Sequence, residues 1–140
     1  MTTIKPQLSS KNKYYISKHR YYELKHFCLQ YPEWKRDYKA FSLEGVDTLN
    51  LKIPRVGKTT NELSRVETKA MVLEELSHRI NVIEAAAEAT DPELKNYILA
   101  AVTEGKTFEN LYANNNIPCS RDTFYRRYRK FFWMLNSVRG

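Results

Sequence analysis

Near the end of the chain, Ser120 to Leu135 read SRDTFYRRYRKFFWML, with five basic residues, six aromatics and one acid in sixteen positions. Arginine carries a planar fork of donors that suits phosphate and the guanine edge. Aromatic rings either fill a core or stack on bases. Helical phase separates the two chemistries. Phe124, Tyr128, Phe131, Leu135 and Val138 recur at i, i+4, i+7, i+11 and i+14, which makes one apolar face. Arg121, Asp122, Tyr125, Arg126 and Arg129 fall on the other side, with Arg127 and Lys130 on the flanks. One face is expected to anchor the helix and the other to bind. The candidate contact residues on this helix are therefore Arg121, Tyr125, Arg126, Arg127, Arg129 and Lys130. A solvated charged face is the plain alternative, disfavoured by five basic residues against one acid.

The elements that must position this helix follow from the preceding residues. TFENLYANNNIPCSRDTFYRR has the order expected of a helix-turn-helix. Thr107 caps a short helix, Leu111 and Tyr112 face inward, and Asn116 takes the turn position where glycine often sits. Ile117 plugs the core, Ser120 caps, and Phe124 anchors the second helix, which runs to about Val138. Pro118 and Cys119 lengthen the turn by two residues. Such a motif puts the first residues of its second helix into the major groove. Ser120, Arg121 and the helix N-terminus can instead hold phosphate, which positions without specifying.

The whole chain fits this setting. It has 140 residues, enough for one domain or one domain with an appendage, and 42% are hydrophobic, enough for a real core. Four glycines and five prolines are too few for a barrel or sandwich. The net charge is +7 and the isoelectric point about 9.4, which favours an anionic partner, nucleic acid ahead of a membrane surface. Residues 1–40 carry a balance of +6 and residues 111–140 one of +5, whereas 61–90 carry −3 and 91–110 carry −2. The ends are expected to meet the anion while the acidic middle scaffolds or self-associates. Cys28 and Cys119 lack CxxC spacing and read as reduced intracellular thiols. No run of about 18 apolar residues predicts a membrane span, and MTTIKPQLSSKNK does not read as a signal peptide.

Other elements are helical by their caps and periods. Ser17 caps a helix from about Lys18 to Gln30, and Pro32 starts a second through about Phe41, forming a Tyr-rich basic hairpin. Residues 42–58 read as a linker with Gly45, Pro54 and Gly57 and a short extended piece at Leu49–Ile53. Thr59 and Glu62 have capping-box spacing for a long helix to about Ala89, roughly 40 Å at about 1.5 Å per residue. Leu63, Val66, Ala70, Leu73, Ile80, Ile83 and Ala87 form its heptad seam, interrupted at Ser77, which packs on the chain's own helices or dimerises. Asp91 caps and Pro92 begins a further helix to Glu104, stopped by Gly105, with Leu94, Ile98, Ala101 and Val102 as its stripe. The expected division is a basic hairpin over 1–41, a linker over 42–58, a long helix over 59–90 and a helix-turn-helix domain over 91–140.

Enzymatic readings find little footing. Gly57-Lys58-Thr59-Thr60 resembles the tail of a phosphate-binding loop, but Lys52 stands where GxxxxGK[ST] needs its first glycine. His19, His26 and Cys28 lack the paired second half of a zinc site. Glu74-Glu75 reads as a solvated face rather than a nuclease centre. No cofactor, metal or catalytic residue is expected. Tyr14, Tyr15, Tyr21, Tyr22, Tyr31, Trp34 and Tyr38 can stack on single-stranded bases beside Lys13, Lys18, Arg20 and Lys35. A small core with hydroxyls at its rim is the favoured reading, with these four cations as candidate phosphate contacts.

On DPELKNYILAAVTEGKTFENL and IPCSRDTFYRRYRKFFWML the segment from about Asp91 to Arg139 resembles the ArpU/RinA-type family of phage late-gene transcriptional regulators, themselves similar to region 4 of sigma factors. The resemblance covers the C-terminal third and, loosely, the long helix. It implies duplex DNA binding and activation of late transcription, with Ser120, Arg121, Thr123, Tyr125, Arg126 and Arg129 at the DNA. The expectation is an all-α, sigma-region-4-like regulator in the cytoplasm of a bacterial host cell. RNA polymerase and a homodimer through 63–87 are candidate partners, and no membrane is. A small-terminase-like packaging protein and a protein-binding inhibitor of a host complex are the alternatives.

Overall fold

The computed structural model describes residues 13–44 and 62–139. Every regular element among them is a helix: α1 (Lys18–Leu29), α2 (Tyr31–Glu44), α3 (Glu62–Thr90), α4 (Lys95–Glu104), α5 (Phe108–Asn115) and α6 (Arg121–Arg139). The all-α class expected from sparse glycine and proline is the one adopted. The expected extended piece at 49–53, the Thr59 cap and the Gly57–Thr60 stretch lie outside the described residues.

Side chains cap the starts of α1, α5 and α6. Ser17 is extended and its Oγ accepts from the Arg20 N–H at 3.3 Å. Thr107 and Asn110 form a reciprocal capping box, Thr107 Oγ1 accepting from Asn110 N–H at 3.2 Å and Asn110 Oδ1 from Thr107 N–H at 3.3 Å. Ser120 Oγ accepts from Thr123 N–H at 3.2 Å to open α6. Gly105 ends α4 with φ +71°, where a side chain would be strained. Two boundaries differ from expectation. Asp91 Oδ1 accepts from both Glu93 and Leu94 N–H groups, at 3.0 and 3.3 Å. This closes a separate turn over 92–94, so α4 starts at Lys95 rather than Pro92. Likewise α2 begins at Tyr31 and runs past Phe41 to Glu44, with Ser42 Oγ donating back to the Tyr38 carbonyl at 2.7 Å.

The described residues fall into two compact units, one joining those up to Gln30 with those from Val82 onward, the other spanning Tyr31 to Asn81. The described part of the expected hairpin, residues 13–41, is divided between these units. α1 belongs with the C-terminal helices because its buried face (Tyr21, Leu24 and Cys28) meets α4 and the aromatics of α6. The Tyr21 ring lies edge-on to Phe132 at 5.0 Å, and its hydroxyl is 3.0 Å from that of Tyr128.

Phe108, Phe124, Tyr128 and Phe132 follow one another in this unit at ring separations of 5.1–6.4 Å. Phe131, Leu135, Leu111, Ile98, Val102 and Ile117 complete its core. Burial of each large side chain contributes about 1.5–3 kcal/mol. The expected stripe of α6 holds at Phe124, Tyr128, Phe131 and Leu135. It fails at Val138, which is 55% exposed in the last turn, and it omits Phe132, which is buried.

In the second unit Trp34, Phe41, Leu76 and Ile80 are buried, and the Arg79 guanidinium sits 5.5 Å from the Trp34 ring centroid. Along α3 the buried stripe is Leu76, Ile80, Ile83, Ala87 and Thr90. It starts at Leu76 where the expected seam met Ser77. Val66 and Ala70 are exposed and Leu73 is half-buried. The expected seam therefore holds at Ile80, Ile83 and Ala87 and is uncovered at Val66 and Ala70.

The Tyr21–Tyr128 pair yields a direct test. Tyr21→Phe should destabilise the fold by about 1–3 kcal/mol, because it strands the buried Tyr128 hydroxyl, while Tyr21→Phe/Tyr128→Phe should recover much of that loss in urea unfolding. Burial pushes both phenols above their ordinary pKa of 10.0. The neutral pair's contribution is therefore full below pH 10 and declines as pH rises further, so the double variant should lose stability less steeply above pH 10 than the wild type.

Candidate nucleic-acid interface

The aromatic core presents the opposite side of α6 to solvent. Arg126 is exposed, and Arg129 and Lys130 are half-exposed. Among the described residues none of the three forms an ion pair or side-chain hydrogen bond. Arg126 and Lys130 are four apart, and Trp133 continues the same face at i+7 and i+3.

Other predicted site residues are held by the protein. Arg127 Nε donates to Asp91 Oδ2 at 3.1 Å, on the carboxylate whose other oxygen caps the turn before α4. It ties α6 to that turn. Arg121 Nε donates to Glu109 Oε1 on α5 at 3.1 Å, and its guanidinium lies 4.9 Å from the Tyr125 ring centroid. Tyr125 is a correction to the sequence reading. Expected on the outward face, it is 7% exposed, and its hydroxyl accepts from the Phe108 N–H at 3.2 Å. Its place on the flank of α6 lets the ring turn inward beside Phe124, at 5.1 Å. Tyr112, expected to face inward, is 65% exposed, while Leu111 beside it is buried as expected.

The turn between α5 and α6 depends on Asn116. Its φ of 50° is left-handed, the one positive φ outside glycine among the described residues. Its N–H closes on the Leu111 carbonyl, and the Ile117 N–H reaches the same oxygen at 3.4 Å. Ile117 is buried and Ser120 caps, so the turn delivers Arg121 to the surface beside Glu109. Glu109 is held below the ordinary carboxylate pKa, first by hydrogen bonding to its own backbone and then by Arg121, so it stays ionised. Burial raises the Cys119 thiol, helped by Asp91 nearby.

The four N-terminal phosphate candidates separate. Lys13 and Lys18 are exposed in the unit that holds α6. The Lys13 Nζ sits 5.0 Å from the Tyr14 ring centroid, and Tyr14 packs edge-on against Trp133 at 5.5 Å. This brings Lys13 to the face of α6 that carries Arg129 and Lys130. Arg20 is structural instead. Its Nε donates to Asn136 Oδ1 at 2.6 Å and its Nη1 to Glu23 at 3.4 Å. Lys35 lies on α2, in the other unit, over the ring of Tyr31.

Sequence reasoning missed Glu109, the Asp91–Arg127 pair and the Tyr14–Trp133 contact. No periodicity joins Glu109 to a residue twelve positions later on another helix. Among the described residues no three His, Cys, Asp or Glu side chains gather as a metal site, and no helix is long and apolar enough to cross a membrane. No family model, curated protein or solved structure matches the chain.

The turn makes a prediction about stability. Asn116→Val should destabilise by about 1–2 kcal/mol, since a β-branched residue resists the left-handed region, whereas Asn116→Gly should be nearly neutral. Equal unfolding midpoints for all three proteins would refute the role of this backbone angle.

Proposed function

We propose that this protein binds duplex DNA without catalysis, through the outward face of α6, as a transcriptional regulator. The observation that carries the reading is the set Arg126, Arg129 and Lys130. They are cations on one helix face, lack a carboxylate partner among the described residues, and are backed by a rigid aromatic core. A solvated helix face ordinarily intersperses both signs; here Asp122 is the one acid between Arg121 and Arg139. The approach of Lys13 to the same face supports it further, because the two basic ends of the chain then act on one anion. On this reading α5, the Asn116 turn and α6 work as a helix-turn-helix, and Ser120 and Thr123 approach the backbone of the groove that α6 enters.

The resemblance of residues 91–139 to the ArpU/RinA-type regulators supports a role in phage or prophage late transcription, within a bacterial cell and with RNA polymerase as a proposed partner of the bound complex. The exposed Val66, Ala70 and Met71 on α3 leave a homodimer through that helix part of the proposal.

The test is duplex binding measured across salt concentration. Arg126→Ala/Arg129→Ala should weaken binding to every sequence and lower the slope of log K against log salt by about 1.8, at about 0.9 per lost phosphate contact. Lys13→Ala should lower it by about 0.9. A ring of many subunits that binds DNA without sequence preference would favour packaging instead, and absence of salt-sensitive DNA binding would refute the proposal.

A further inference from the structure

We infer that Arg121 is the base-reading residue of α6, set by Glu109 and Tyr125 to take the O6/N7 edge of a guanine; this rests on the duplex-DNA reading above. Arg121 differs from its basic neighbours in being fixed at two points. Its Nε is engaged by Glu109 Oε1 at 3.1 Å, and its guanidinium lies 4.9 Å from the Tyr125 ring centroid. Tyr125 cannot follow a moving arginine, because the ring is buried and its hydroxyl is held by the Phe108 N–H. Glu109 stands in the first turn of α5, whose start is fixed by the Thr107–Asn110 box. Both positioning residues therefore belong to α5 or to the core that α5 and α6 share.

With Nε occupied, the fork that remains is the Nη1/Nη2 end. Neither nitrogen has a hydrogen-bond partner among the described residues, and the side chain is about half exposed. That end matches the two acceptors of guanine in the major groove. A held guanidinium loses little side-chain freedom on docking, so geometry rather than charge decides what it accepts.

The charges around it choose guanine over phosphate. Glu109 touches Arg121, so the cation is already matched by one carboxylate. A phosphate here gains little from a charge that Glu109 already balances, whereas a guanine edge brings acceptors without a formal charge. Arg126, Arg129 and Lys130 form no ion pair among the described residues and have no such restraint. They supply the phosphate field, while Arg121 supplies the discrimination. As the first residue of α6, Arg121 also occupies the end that enters the groove in a helix-turn-helix.

The experiment selects random duplex DNA with the full chain at physiological salt. The proteins are wild type, Arg121→Lys, Glu109→Ala, Glu109→Gln and Arg126→Ala/Arg129→Ala. The wild type should enrich a site with one guanine preferred by about 5- to 150-fold, the range of a good bidentate pair. Arg121→Lys keeps the charge and removes the fork, so that preference should fall to near unity while affinity for bulk DNA is retained. Glu109→Ala should lose most of the same preference. Glu109→Gln keeps an acceptor for Nε and should restore much of it, which a merely structural role for Glu109 would not require. Arg126→Ala/Arg129→Ala should bind all sequences more weakly and still prefer that guanine. An unchanged guanine preference in Arg121→Lys overturns the inference, as does a preference that disappears only with Arg126 and Arg129. Wild-type binding with no preferred guanine overturns it while leaving the DNA reading in place. No duplex binding by the wild type removes both.

Discussion

The packing of aromatic rings along one side of α6 is the constraint on which its unit depends. Phe124, Tyr128, Phe131 and Phe132 are buried together, and each is met from another helix or from its own neighbours in sequence. α5 meets the column at its N-terminal end through Phe108, and α1 meets it further along through Tyr21. Aromatic pairs of this geometry add to the area they bury, and they resist rotation of the helix about its axis. Rotation is what would mix the two faces. With the column seated, Arg126 points to solvent and Arg127 reaches Asp91.

Two layers of electrostatics rest on that seating. The inner layer is intramolecular. Asp91 caps a turn with one carboxylate oxygen and takes Arg127 with the other, and Arg20 is drawn to Asn136. These cations are committed to the fold, and each contact is partly exposed, so its worth lies more in orientation than in stability. The outer layer is Arg126, Arg129 and Lys130, which the protein leaves unmatched among the described residues. Under the proposed reading the division has a purpose. Cations spent within the fold hold the helix, and cations left over attract the nucleic acid. Arg121 stands between the layers, paired at Nε and open at its far end.

Much of the fold was legible in the residues. Ser17, Thr107, Ser120 and Gly105 announced helix ends because capping is local chemistry, satisfied within three or four residues. Asn116 announced the left-handed turn for the same reason. The apolar stripe of α4 and four positions of the α6 stripe followed from the helical period. Errors arose where local rules competed. Asp91 capped a turn of its own, and the α3 seam is buried at Ile80, Ile83 and Ala87 but exposed at Val66 and Ala70. The candidate site was legible in its composition but not in its assignments. Six residues of one helix were nominated alike, yet Tyr125 is buried, Arg127 is committed to Asp91, and Arg121 is restrained by a glutamate that no sequence spacing connects to it.

The sequence by itself determined the all-α class, the helix ends marked by caps, the basic character of both termini and the amphipathic division of α6. Those properties depend on backbone hydrogen bonding within a turn or two and on the sum of charges, which do not require a partner. Only the tertiary structure decided that α1 joins α4 and α6, that Tyr14 brings Lys13 to Trp133, and that Glu109 meets Arg121. Each of these joins residues on different helices, and each is selected by the shape of an aromatic core. Ring matching such as Tyr21 against Phe132 and Tyr128 depends on where both helices already lie. Periodicity says which side of a helix is apolar, and packing alone says which other helix covers it.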